Sequence, residues 1–83
     1  MWKYTLEVDG MMCGMCEAHT NDAIRKVFHV KKVTSSHGKK RTEIITESEL
    51  DEDLLRSTIT ELGYDVGKIT KEPWKKKGIF RSI

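Results

Sequence analysis

Cysteine and proline are nearly absent from this chain of 83 residues, which has two of the first and one of the second. Two cysteines close one disulfide at most, too little to frame a disulfide-held mini-protein. No apolar run approaches the roughly 20 residues of a membrane span. Met1 to Asp9 alternates polar and apolar residues, unlike the continuous apolar stretch of a secretory signal. A cytoplasmic setting without stable membrane insertion is therefore expected. The length admits one small domain with a thin core and little room for a deep substrate pocket, so a non-enzymatic protein is expected. Repeats and low-complexity segments are also lacking, and nothing points to a nucleic-acid partner.

Charge of one sign is missing too, since the net charge is +2 with 34% of residues charged. That small number hides blocks. Lys31, Lys32, Lys39, Lys40 and Arg41 stand without an acid between residues 29 and 42. Residues 43–65 hold eight acids against Arg56 alone, and residues 66–83 hold six basic residues against Glu72. Such blocks either steer docking on a charged partner or form a solvated surface with ion pairs between elements.

What is present is concentrated at Cys13 and Cys16. Upstream, Trp2, Tyr4, Leu6 and Val8 alternate with polar residues and predict a strand, which Gly10 breaks. Downstream, Thr20, Ala23, Ile24, Val27 and Phe28 recur at helical spacing and predict a helix from Met15 to Phe28. Cys13 thus falls on a loop and Cys16 in a first helical turn, where unpaired N–H groups and the helix dipole stabilise thiolates. Soft thiolates select soft cations. Cu(I) is content with two or three ligands, whereas a closed zinc site needs four and this chain has one cysteine pair. His19 completes Cys13-x-x-Cys16-x-x-His19. It is either a third ligand or tuning residue one turn on, or an ordinary helix-face histidine. A thiol–disulfide redox pair is the competing chemistry, although neither Trp nor Pro flanks the motif.

Gly10-Met11-Met12-Cys13-Gly14-Met15-Cys16, between a strand and a helix, resembles the Gly-Met-x-Cys-x-x-Cys motif of the heavy-metal-associated (HMA) domain. Gly63-Tyr64-Asp65-Val66 resembles the Gly-Tyr-x-Val that follows the second helix in bacterial members. The resemblance spans residues 2–72 and implies an α+β, ferredoxin-like βαββαβ fold, with a four-stranded antiparallel sheet and two helices on one face. It implies a copper chaperone-like function. Cys13 and Cys16 would be the metal ligands, Met11 would pack inward beneath the loop, and Tyr64 would approach the site or serve simply as core. Cu(I) is the implied cargo, with Zn(II), Ag(I) or Hg(II) as alternatives. The implied partner is a homologous metal-binding domain of a copper-exporting P-type ATPase, and a metal-bridged homodimer is a further possibility. Mercury- or zinc-binding domains of the same fold are the alternative within the family.

The remaining elements agree. Val30 and Val33 open a second strand, and His37-Gly38-Lys39-Lys40 is a turn with glycine suited to positive φ. Thr42, Ile44 and Thr46 mark a third strand. Asp51 to Leu62 forms a helix with Leu55, Ile59 and Leu62 as its apolar stripe, and Tyr64 to Thr70 a fourth strand. Two departures leave the second strand's register and length open: His29-Val30 stands where members have Gly-Val, and Ser35 stands at a usually apolar position. Met12 and Met15 are expected to face solvent. His29 and His37 are expected at the end opposite the motif, without a role. Residues 1–72 are expected to form the domain and residues 73–83 a basic, aromatic C-terminal extension.

Overall fold

The alternating N-terminal segment forms β1 (Trp2–Asp9), with Tyr4, Leu6 and Val8 buried on one face. A computed structural model of the chain describes residues 1–74. After β1 come α1 (Gly14–Val27), β2 (Lys32–Ser36), β3 (Arg41–Thr46), α2 (Glu52–Thr60) and β4 (Asp65–Pro73). The four strands form one sheet in the order β2-β3-β1-β4, with every neighbouring pair antiparallel. This is the ferredoxin-like fold.

Both helices cover the same sheet face. Ile24 of α1 and Leu55 and Ile59 of α2 join Tyr4, Leu6, Val8, Met11, Val33 and Ile44 in one buried cluster. The Tyr4 hydroxyl accepts a hydrogen bond from the Leu50 N–H at 2.9 Å, which ties the middle of the sheet to the approach to α2. Asp51 caps α2, its carboxylate accepting from the N–H groups of Asp53 and Leu54 at 2.9 and 3.2 Å. Among the described residues, no helix is long and apolar enough to cross a membrane.

Register decides which connections share an end. Asp9 faces Asp65 across β1 and β4, and Glu7 faces Arg41 across β1 and β3. The β1–α1 loop, the β2–β3 turn and the α2–β4 loop therefore gather at one end of the sheet. Trp2, facing Thr46 and Pro73, marks the other end.

Several expectations change. His37 lies in the β2–β3 turn, at the same end as the cysteines and not the opposite one, because an antiparallel hairpin returns the chain to the end where β1 finishes. Within that turn Lys40, not Gly38, takes the left-handed conformation, with φ 54°. α2 stops at Thr60. Its last turn tightens, the N–H groups of Leu62 and Gly63 bonding to the carbonyls of Ile59 and Thr60, and Leu62 is left 38% exposed. β2 starts at Lys32, and Val30 packs on the core from the preceding loop.

Ser35 does not disrupt β2, because its hydroxyl is satisfied. It lies 2.7 Å from Asn21 Oδ1 and 2.9 Å from Thr42 Oγ1, so a buried polar bridge joins α1 to β2 and β3. Of the segment 73–83, only Pro73 and Trp74 are among the described residues. The Trp74 N–H donates to the Met1 carbonyl at 3.0 Å.

Leu55 is fully buried between α2 and the sheet. Leu55→Ala is expected to lower unfolding free energy by about 2–5 kcal/mol, read from the urea midpoint at unchanged m-value. In a domain this small, that is a large share of the total.

Candidate metal centre

The end of β1 and the start of α1 make the site. Gly10 has φ +112°, a conformation glycine adopts without strain, and a Cβ there would lie 3.1 Å from the Tyr64 ring. Glycine at this position therefore serves both the turn and the close approach of Tyr64 from the α2–β4 loop. Met11 follows and points inward, 7% exposed within the core cluster. Met12 and Met15 face solvent, at 79% and 69% exposure.

Cys13 is the N-cap residue of α1, with extended backbone and no side-chain cap hydrogen bond. Its carbonyl accepts from the N–H groups of Cys16 and Glu17 at 3.1 and 3.2 Å. Ser, Thr, Asp or Asn in this place would return an oxygen to the first-turn N–H groups. A cysteine leaves those donors and the positive end of the helix dipole facing the sulfurs. Both cysteines are free thiols, Cys13 exposed and Cys16 half-buried against the core.

Tyr64 reaches Cys16. Its hydroxyl hydrogen bond is the largest cause that lowers the Cys16 thiol from 9.0 to about 7. The Met12 backbone amide adds to the shift, and partial burial opposes it. The same bond raises Tyr64 above its ordinary value, because the thiolate holds the phenol proton in place. The sequence left Tyr64 open between core and site; it packs on the core, and its hydroxyl is the largest influence lowering the Cys16 thiol.

Glu17, next to Cys16, accepts from His37 twice: from the backbone N–H at 2.8 Å, and at 2.6 Å from the ring Nδ1 in the tautomer that carries a proton there. The backbone bond is the larger cause that holds the Glu17 carboxyl below its usual range. This clasp ties the first turn of α1 to the β2–β3 turn. Sequence reasoning missed His37, and the signal that would have found it is topological, since the one strand–strand turn of the βαββαβ order, β2–β3, lies at the motif end. His19 is exposed on α1. Among the described residues, no three His, Cys, Asp or Glu side chains gather as a set able to hold a metal ion.

A lowered pKa places the thiolate transition of Cys16 near neutrality. In the reduced, metal-free protein, iodoacetamide alkylation of Cys16 is expected to rise with pH through a midpoint of about 7. Tyr64→Phe removes the largest lowering cause, so the midpoint should move upward. A midpoint unchanged by that substitution contradicts the hydrogen bond.

No protein-family model matches the chain. Over 60 residues, 72% of its length, it is 33% identical to a mercuric reductase of Shigella flexneri, and the match spans 11% of that enzyme. Among solved structures, it resembles a copper-binding domain from HMA7, a P-type ATPase, at 25% identity, covering 89% of this chain and all of that one with a TM-score of 0.74. It resembles a putative copper-ion-binding protein of Bacillus anthracis at 26% identity, covering 81% of this chain and 97% of that one with a TM-score of 0.70. It also resembles oxidised MerP of Ralstonia metallidurans at 26% identity, covering 78% and 92% with a TM-score of 0.66. With β1, the Gly-Met-x-Cys-x-x-Cys loop and α1 arranged in this fold, the chain belongs to the heavy-metal-associated domain family.

Proposed function

We propose that this protein is a metallochaperone that carries one soft metal ion, with Cu(I) the leading candidate, between Cys13 and Cys16 in the cytoplasm. It would deliver the ion to a homologous domain of a copper-exporting P-type ATPase. The observation that supports this most is the pairing of two free thiols at a helix start without a side-chain cap, with no third His, Cys, Asp or Glu gathered around them among the described residues. Two soft donors suffice for Cu(I) and leave the ion open to attack. Transfer would proceed by ligand exchange, with thiolates of the partner binding the ion before Cys13 and Cys16 release it. The similarity to the copper-binding domain of a P-type ATPase supports a partner of the same fold. Residues 1–72 would be the carrier domain and residues 73–83 an extension of it.

A second reading has its own support. The relative that is 33% identical is a mercuric reductase, so Hg(II) is the alternative cargo, and Ag(I) shares the same two-thiolate chemistry. Zn(II) would need more donors, and His19 is the residue to supply one.

Anaerobic competition among Cu(I), Hg(II), Zn(II) and Cd(II) on the reduced protein separates these cargoes. One Cu(I) per chain is expected, with no binding by the Cys13→Ser, Cys16→Ser double variant. Stoichiometric Cu(I) binding by that variant overturns the proposed ligand set. Zinc binding that outcompetes Cu(I) and disappears in His19→Ala overturns the two-thiolate reading. Size-exclusion chromatography with and without metal reports the metal-bridged dimer. Insulin reduction no faster than by a simple dithiol is the expected outcome against the redox alternative.

A further inference from the structure

We propose that Thr20 is a positioning residue for the cysteine loop. Its hydroxyl, buried beneath the loop, restrains Met11 and thereby slows escape of the cargo; the part concerning cargo rests on the soft-metal reading above.

Thr20 is fully buried on the core side of α1, one turn beyond Cys16. A buried hydroxyl is costly unless it is hydrogen-bonded. Its Oγ1 lies 3.0 Å from the Cys16 carbonyl oxygen and 3.6 Å from Met11 Sδ. The first contact, to the residue four positions back, is ordinary for threonine in a helix and says nothing specific about the site. The second leaves the helix. It crosses nine positions to the loop residue two before Cys13, and its acceptor is a buried thioether.

Met11 is the last inward anchor of the chain before Cys13, since Met12, Cys13, Gly14 and Met15 are all exposed. A methionine side chain has three rotatable bonds and repacks easily. Met11 alone would hold the loop loosely. The hydroxyl has one proton, shared between the Cys16 carbonyl and this sulfur as the longer branch, so the sulfur gains a partner on the turn that bears Cys16. The two cysteine-bearing segments are thereby linked through Met11 and Thr20 from below, while their upper side stays open. Sulfur is a weak acceptor, so this contact adds little to global stability. It acts on loop excursions and hardly on unfolding, which makes the two effects separable.

The test uses the full chain and the near-isosteric Thr20→Val, with Thr20→Ser as the conservative variant that keeps the hydroxyl. Amide hydrogen exchange of residues 11–14 is measured in the metal-free protein. Cargo loss is measured as the rate at which Cu(I) passes to a chromophoric chelator. Thr20→Val is expected to melt close to the parent and to speed both processes by about two- to tenfold, the size expected for one weak hydrogen bond. Thr20→Ser is expected to match the parent. In a Met11→Leu background the Thr20→Val effect should vanish, since the hydroxyl no longer has a sulfur to hold.

Unchanged loop exchange in Thr20→Val overturns the proposal, as does an acceleration that persists in the Met11→Leu background. A large fall in melting temperature for Thr20→Val also overturns it, since Thr20 would then serve general packing. A parent protein that retains no soft metal overturns the carrier reading alone. The exchange measurements on the metal-free protein still decide the role of Thr20.

Discussion

The central place of β1 in the sheet governs where the chemistry sits. Hydrogen-bonded to β3 on one side and β4 on the other, β1 has no freedom to slip, because a shift of one residue would turn Tyr4, Leu6 and Val8 toward solvent. Its end at Asp9 is therefore fixed in space, and Cys13 stands four residues later. Pairing of Asp9 with Asp65 brings the α2–β4 loop, and Tyr64 with it, to the same place.

The site is held from below and left open above. Met11 enters the core, and Thr20 joins it to the turn that bears Cys16. The Glu17 clasp on His37 and the bridge from Asn21 to Ser35 and Thr42 fasten the first half of α1 to the β2–β3 hairpin. These bonds place polar groups where a more apolar interface would serve for packing alone. None of the buried side-chain polar atoms among the described residues lacks a partner, so the polar seam carries no unpaired group. Cys13 caps a helix without a side-chain bond to it, and both flanking methionines face solvent. Cys13 is exposed and Cys16 half-buried above this base, which is the arrangement the proposed ligand exchange would use.

Tyr64 and Cys16 show how packing becomes electrostatics. A phenol laid against Gly10 does more than any other group to lower the Cys16 thiol pKa. Glycine at position 10 is thus part of the site's chemistry without bearing a reactive group. A side chain there would meet the ring at 3.1 Å.

The sequence by itself determined the period-2 run of β1, the helical spacing of α1, the order of the six elements and the two cysteines at the junction of the first two. These are local patterns, and each is written in consecutive residues. It misplaced His37 and the end of α2, and it left Ser35 and Tyr64 open. Those residues depend on partners 7, 14, 20 or 48 positions away in the chain: Thr42 and Asn21 for Ser35, Glu17 for His37, Cys16 for Tyr64. Only the tertiary structure decided such pairings, because they arise when antiparallel register folds separate segments onto one end of the sheet, and no local pattern encodes which distant side chains will meet there.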